Sequence, residues 1–139
     1  MQWSAAPNAG FMDGTPWIMP PDNFKAINAA VELQDPDSIL HYYKRLIRLR
    51  KERPVVAEGD IAFFCTERPE LFAYRRTLGS EQIAVINNLT DETLEMGELP
   101  WTAAPVRVIG NYPGMELRNG HLVLRPYESV VLERSSAAV

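Results

Sequence analysis

The sequence predicts a mainly β protein: an antiparallel β-sandwich preceded by an irregular segment and one long α-helix. Three observations support this fold class. From residue 58 onwards, short runs rich in valine, isoleucine and aromatic residues alternate with turn signals, which is typical of strands. One earlier segment has the periodicity of an amphipathic helix. Residues 1–34 have neither pattern, because prolines and glycines interrupt them repeatedly.

The strand-like runs are short and closely spaced. They read DIAFFCT, LFAYRRTL, QIAVINNL, VRVIGNY, HLVLRP and ESVVLER. Asn119 and Gly120 separate two of them and can adopt positive φ, which is typical of a hairpin turn. Residues 122–124 and 130–132 are apolar at consecutive positions, so both faces of these strands are apolar. Such strands favour two packed sheets over one open sheet, and we expect about six to eight strands.

The helix is predicted over residues 36–53. Asp35 is a favourable N-cap residue, and Pro36 suits the first helical position. Pro54 ends the helix. Basic residues on the polar face and in the last turn suit solvent and the helix dipole, and we interpret them in this way rather than as a nucleic-acid site. The opposite face is an apolar stripe at helical spacing, formed by Ile39, Tyr42, Tyr43, Leu46, Ile47 and Leu49.

Composition disfavours several classes of protein. The chain has 139 residues, 46% of them apolar and 23% charged, with a formal net charge of −4. These values are ordinary for a globular protein. The acidic balance argues against nucleic acid and anionic membranes as partners, since both require a basic face. The one cysteine, Cys65, is interpreted as a buried apolar residue. We see no signal peptide and no run of transmembrane length, so we expect a cytoplasmic location.

No motif for catalysis, metal binding or cofactor binding is present in the sequence. There is no glycine-rich phosphate loop and no G-x-S-x-G motif. His41, His121 and Cys65 stand alone, without metal-ligand spacing. Glycosidases need a positioned carboxylate pair, but the acidic residues fall mainly in turns, at strand ends or at helix caps. We therefore predict no catalytic residue, no metal and no cofactor.

The first 60 residues carry the stretches MQW, NAGF, GTPW, NFKAIN and DPDSILHYYKRLIRLRKERPVV. These stretches resemble the α-glucosidase branch of glycoside hydrolase family 13, which includes oligo-1,6-glucosidases, dextran glucosidases, sucrose isomerases and trehalose-6-phosphate hydrolases. FAYRR, VINNLT and LRPYESVVL resemble the C-terminal β-domain of that family more loosely. The resemblance implies that residues 1–54 are the last loop and helix of a (β/α)8 barrel. It implies that residues 55–139 are the C-terminal β-sandwich of α-amylase-type hydrolases.

The resemblance also implies a retaining mechanism with an aspartate nucleophile, a glutamate acid/base and a third aspartate. The motifs G-x-R-x-D and N-H-D are absent from this sequence, so none of these roles transfers to a residue here. Trp3, Asn8 and Phe11 match a loop at the rim of the family's active site, and they are candidates for supporting substrate binding there. The family usually has aspartate after MQW, where this chain has Ser4.

Three hypotheses for function follow. The first is a non-catalytic C-terminal fragment of a retaining α-glucosidase, inactive alone, which packs on the catalytic barrel of the parent enzyme. The second is a free-standing carbohydrate-binding module that stacks sugars on Trp3, Trp17, Trp101, Tyr112 and Tyr127. The third is a module that completes a barrel supplied by another chain. In the first case the apolar stripe of the helix has no barrel to pack on, and we expect self-association or a rearranged N-terminus.

Overall fold

A computed structural model describes residues 1–97, 99–101 and 104–134 of the chain. The chain divides into two compact units, Met1–Arg48 and Leu49–Val139. The first unit is mostly irregular backbone, and the second contains the strands. A helix, Ile39–Glu52, runs across the division. Among the described residues, no helix is long and apolar enough to span a membrane.

The N-terminal unit has little regular structure, as its prolines and glycines predict. A turn with left-handed backbone occurs at Pro7–Gly10 and a 3₁₀ turn at Asp22–Lys25, followed by one turn of helix, α1, at Ala29–Glu32. Asn28 caps α1, because its Oδ1 accepts a hydrogen bond at 3.1 Å from a backbone N–H of that turn. The same buried amide donates to the carbonyl oxygen of Phe24 at 2.8 Å, so it links α1 to the preceding turn.

Helix α2, Ile39–Glu52, begins three residues later than predicted. Asp35 is not its cap: the Asp35 carboxylate accepts a hydrogen bond from the N–H of Asp37 at 2.9 Å and forms a local turn. Ser38 takes the capping position, where its Oγ accepts from the N–H of His41 at 3.3 Å. The Ser38 hydroxyl also donates to a backbone carbonyl oxygen in α1 at 2.7 Å, which fixes the residue before the helix starts.

The second unit contains a short helix, α3 (Pro54–Glu58), and two antiparallel sheets. Strands β1-β2-β3-β8-β5 form a five-stranded sheet, and β4-β7-β6 form a three-stranded sheet. The predicted sandwich is confirmed, as is the hairpin at Asn119 and Gly120, whose φ values are 52° and 84°. Eight strands lie within the described residues: β1 Asp60–Phe64, β2 Leu71–Leu78, β3 Glu81–Asn88, β4 Leu94–Met96, β5 Pro105–Gly110, β6 Glu116–Arg118, β7 His121–Leu124 and β8 Ser129–Arg134.

The core lies between the two sheets. Alternate residues of β2, β3 and β8 point inward and meet residues of β4 and β7 from the other sheet. Cys65, at the end of β1, packs against this core but is only half-buried, and burial raises the pKa of its thiol. A raised pKa lowers the reactivity of a cysteine. The buried core cluster comprises Leu71, Ala73, Ala84, Ile86, Met96, Leu122, Leu124, Val130 and Leu132.

Candidate functional site

The rim candidates Trp3, Asn8 and Phe11 lie in the N-terminal unit, around a left-handed turn. Asn8, Ala9 and Gly10 have φ values of 53°, 59° and 69°. Glycine adopts this conformation freely and asparagine tolerates it, whereas an alanine in it costs about 1–2 kcal/mol. Three consecutive residues in this region therefore require surrounding contacts that keep them there.

Hydrogen bonds from two directions hold the turn. The carbonyl oxygen of Ala9 accepts from the N–H of Trp3 at 2.9 Å and from the N–H of the next residue at 3.1 Å, and Ala9 is buried. The Asn8 side-chain nitrogen donates to the carbonyl oxygens of Met12 at 3.0 Å and Gly14 at 2.7 Å. Both N–H groups of the Asn8 amide are thus used inside the loop. Asn8 serves as an internal brace of the rim loop.

Two cavities flank this turn. One, of about 260 Å³, includes Asn8 and Phe11 in its lining, together with Gln2 and mostly apolar side chains between residues 1 and 21. The other, of about 490 Å³, is lined by Asn8, Phe11, Asp13 and their neighbours along residues 6–13. The structure therefore brings Asn8 and Phe11 together, while Trp3 lies outside both linings.

The chemistry available in these two cavities is limited. Their linings contain one carboxylate, that of Asp13. A retaining glycosidase uses two carboxyl groups about 5–5.5 Å apart, so the cavities lack the pair that hydrolysis requires. Within the described parts of the chain, no group of three or more His, Cys, Asp or Glu side chains is placed to hold a metal ion. The arrangement suits an apolar or stacking contact.

Gly10→Ala is expected to disrupt the rim loop. At a φ of +69° the alanine backbone alone costs about 1–2 kcal/mol. The added Cβ would also lie 2.5 Å from Ser4 Oγ, so the Ser4 side chain must move. We expect faster hydrogen–deuterium exchange at the amide of Trp3, which donates into the turn. Gly14→Ala is the matched control, since its φ is not left-handed and its Cβ meets only Met12 Cε, at 3.4 Å. Equal acceleration in both variants would contradict this account of the loop.

The five aromatic residues considered as a sugar platform are used in different ways. Trp101 is half-buried and packs against the core cluster. The Tyr112 hydroxyl donates to a backbone carbonyl oxygen at 3.0 Å, and the Arg125 guanidinium lies 4.4 Å from the ring centroid. Trp3, Trp17 and Tyr127 are exposed. The sandwich therefore uses Trp101 and Tyr112 internally, which leaves a smaller set of aromatic rings for stacking.

One exposed cluster was not singled out from the sequence: the aromatic patch, formed by Phe63, Phe72 and Tyr74. Their ring centroids lie 5.7–6.2 Å apart, with interplanar angles of 53–64°. Phe63 and Phe72 are 60% and 46% exposed. The sequence pattern that indicates this patch is the alternation in LFAYRRTL, which puts the small Ala73 on one face of the strand and two aromatic rings on the other. Ala73 belongs to the core cluster, so the rings point away from it.

Arg125 and Glu128 form a bidentate ion pair in the turn between β7 and β8. Arg125 Nη2 lies 2.7 Å from Glu128 Oε1, and Arg125 Nε lies 2.9 Å from Oε2, which also accepts from the Arg125 N–H. Burial opposes ionisation of Glu128, but the hydrogen bonds from Arg125 outweigh it and the pKa of the carboxyl is lowered. The hydrogen bonds to the Glu128 carboxylate all come from Arg125, and the guanidinium also donates to the carbonyl oxygen of Pro113 at 3.1 Å. Because these contacts tie the turn to the backbone nearby, we interpret the pair as structural.

Two family models match the chain, one for each part. A model described as "Alpha amylase, catalytic domain" matches residues 1–59, and one described as "Alpha-amylase SusG C-terminal domain" matches residues 71–131. An oligo-1,6-glucosidase of Bacillus cereus is 40% identical over an alignment that covers 96% of this chain and 24% of the relative. A trehalose-6-phosphate hydrolase of Bacillus subtilis is 38% identical, over 94% of this chain and 24% of the relative.

Solved structures agree with these matches. The crystal structure of Bacillus licheniformis trehalose-6-phosphate hydrolase superposes on this chain with a TM-score of 0.83 at 37% sequence identity. The superposition covers 95% of this chain and 24% of that protein. The chain therefore spans about a quarter of the length of these relatives.

Proposed function

Because the chain belongs to glycoside hydrolase family 13, we propose that it is the C-terminal part of a retaining α-glucosidase that hydrolyses α-glucosidic bonds in oligosaccharides. The observation that carries the proposal is that two family models match two successive parts of the chain, one for a catalytic domain and one for a C-terminal domain. The match to the catalytic domain stops at residue 59, and the match to a C-terminal domain starts at residue 71. The relatives, which are about four times as long as this chain, are named oligo-1,6-glucosidase and trehalose-6-phosphate hydrolase.

The role of this part of the enzyme is structural rather than catalytic. The rim cavities hold one carboxylate where a retaining glycosidase needs two, so the reacting groups must come from outside these residues. Helix α2 supports a role in packing on a catalytic barrel, because Ile39, Tyr43 and Ile47 on its apolar stripe are all more than half exposed. An exposed apolar stripe of this kind requires a partner surface. We expect the whole enzyme to act in the cytoplasm.

An assay of the purified chain tests the proposal. We expect no hydrolysis of p-nitrophenyl α-glucoside above the spontaneous rate, because the chain lacks a carboxylate pair at its rim cavities. The full-length oligo-1,6-glucosidase of Bacillus cereus serves as the positive control in the same assay. Turnover by the chain alone, retained after repurification, would overturn the non-catalytic role.

The carbohydrate-binding alternative rests on Trp17, which is 94% exposed in the N-terminal unit. A large exposed indole is a common stacking surface. A titration with isomaltose, followed by tryptophan fluorescence, separates the two roles. The structural role predicts no saturable change. A saturable change that is lost in Trp17→Ala and kept in Trp101→Phe would favour the carbohydrate-binding module.

A further inference from the structure

The outer face of the five-stranded sheet is apolar and aromatic at its centre. Leu71 and Ala73 of β2 point into the core, so Phe72 and Tyr74 point to the opposite face. Phe63 of β1 pairs with Tyr74 across the sheet, which puts its ring beside theirs. The same row continues through residues of β3 and β8 that face outward and are half-buried, Val85 and Val131.

Helix α3 already covers one end of this outer face. Ile83 of β3 is 2% exposed and Val55 of α3 is 0% exposed, yet neither belongs to the core cluster between the sheets. Arg76 pairs with Ile83 in the register, and its guanidinium donates to the carbonyl oxygens of Val55 at 3.0 Å and Gly59 at 2.8 Å. The end of the sheet next to the aromatic patch is therefore buried by α3.

The family matches assign helix α3, which covers one end of the sheet, to the catalytic domain. Residues 54–58 lie inside the part of the chain that matches the catalytic-domain model, whereas residues 71–131, from the start of β2 into β8, match the C-terminal-domain model. The contact between α3 and the sheet is thus a contact between catalytic-domain and C-terminal-domain sequence. The contact includes Arg76, which pairs with Ile61. The next outward-facing pair along the same strands is Phe63 with Tyr74, in the aromatic patch.

We propose that the aromatic patch is the surface on which the rest of the α-amylase-type catalytic domain docks, as a continuation of the α3 contact. The proposal rests on the proposed function, because it takes the catalytic domain as the partner. Phe63, Phe72 and Tyr74, together with the valines beside them, carry no charge. Aromatic enrichment and depletion of charge are the composition of a buried interface core.

Ring geometry favours a protein partner over a sugar. A pyranose ring stacks on the flat face of an exposed aromatic ring. The three rings here contact one another at interplanar angles of 53–64°, so they form a tilted, edge-on cluster rather than a coplanar platform. A cluster of this shape fits between side chains of a packed domain surface.

Hydroxyl-radical footprinting of a chimera tests the docking surface. This full chain replaces the matching segment of the Bacillus cereus oligo-1,6-glucosidase, and labelling is compared with that of the chain alone. We expect labelling of Phe63 to fall about five-fold or more in the chimera, because its exposed fraction of 60% would drop to that of an interface core. Leu117 of β6, in the other sheet and 44% exposed, is the internal control and should keep its labelling.

The outcomes separate this inference from the proposed function. An active chimera with unchanged labelling of the patch would overturn the docking surface and leave the proposed function standing. In the chain alone, protection of the patch that grows with protein concentration would also overturn the docking surface, because a second copy would then be its partner. Protection that appears on addition of isomaltose would overturn it in favour of a sugar site. If the chimera does not fold, the shorter exchange of residues 60–139 gives the same comparison, since the host then keeps its own catalytic domain.

A paired substitution gives an independent readout. Phe63→Ser with Phe72→Ser is expected to lower the thermal midpoint of the chimera by several degrees, because it removes two rings from a buried interface. The same pair should change the midpoint of the chain alone much less, since both rings are exposed there. Equal shifts in the two backgrounds would assign the rings a role within the sandwich and contradict the docking surface.

Discussion

Leu132→Ala is expected to destabilise the sandwich by about 2–5 kcal/mol, the range for truncation of a buried leucine. Leu132 is fully buried, belongs to the core cluster and lies on β8, which pairs with β3 on one side and β5 on the other. Strands held by ladders on both sides cannot close the cavity that the truncation leaves. Urea unfolding of the full chain, followed by far-ultraviolet circular dichroism, measures the loss.

The matched control for this prediction is Leu117→Ala. Leu117 is 44% exposed on β6, at the edge of the three-stranded sheet. Its truncation removes the same atoms from a site that is already open to water, and we expect a change of about 0.5 kcal/mol or less. Similar losses at the two leucines would mean that the interior between the sheets is not close-packed.

Glu128→Gln is expected to cost about 1.5–3 kcal/mol, the range for hydrogen bonds to a charged group. The Glu128 carboxylate is buried, but the Arg125 side chain is 29% exposed, so water partly hydrates the guanidinium that loses its anionic partner. The Glu128 side chain is 4% exposed and accepts three hydrogen bonds from Arg125. A glutamine offers one carbonyl oxygen in place of two carboxylate oxygens, and its amide N–H groups face the donors of Arg125. Glu116→Gln is the control, since its partnership with Arg118 is exposed and worth about 0–1 kcal/mol.

The contribution of Glu128 should also depend on pH, with a defined sign. Its pKa is lowered in the folded chain from the ordinary value of 4.5. The ion pair therefore contributes its full stabilisation above about pH 4.5, and the contribution is lost as the pH falls through the folded pKa. The difference in unfolding free energy between wild type and Glu128→Gln should be constant from pH 7 to 5 and should shrink below pH 4.5. A difference that stays constant down to pH 3 would contradict the assigned pair.

Much of the β-domain was predictable from the sequence because its signals are local. The turn at Asn119 and Gly120 requires positive φ, and the observed values are 52° and 84°. The consecutive apolar residues of β7 and β8 predicted two packed sheets, and Leu122 and Leu132 do meet in one core cluster. The family resemblance was carried by short stretches of specific residues, and both family matches confirm it.

The start of helix α2 was not predictable from the cap signals alone. Asp35 and Ser38 are both good N-cap residues three positions apart, and the residues between them fit either choice. The choice depends on Glu32, whose carbonyl oxygen accepts from the Ser38 hydroxyl at 2.7 Å and whose carboxylate accepts from the N–H of Leu40 at 3.2 Å. Contacts with a residue of the preceding helix therefore set the first turn of α2.

The roles of the rim candidates Trp3, Asn8 and Phe11 were likewise not predictable from the sequence alone. Trp3, Asn8 and Phe11 were grouped by resemblance, and whether they serve a substrate stays a prediction. The structure adds that Asn8 and Phe11 share cavity linings and that the Asn8 amide is used to brace its own turn. A side chain that holds a left-handed turn cannot be distinguished from a binding residue by its letter in the sequence.

The sequence by itself determined the family, the sandwich and the absence of the family's catalytic motifs. Only the tertiary structure decided which face of each strand is core. A strand alternates its side chains with a period of two, so the pattern defines two faces without saying which is buried. In β2, Leu71 and Ala73 point into the core cluster, and the aromatic rings of Phe72 and Tyr74 are left on the outer face. That choice depends on residues distant in the chain, and it creates the aromatic patch.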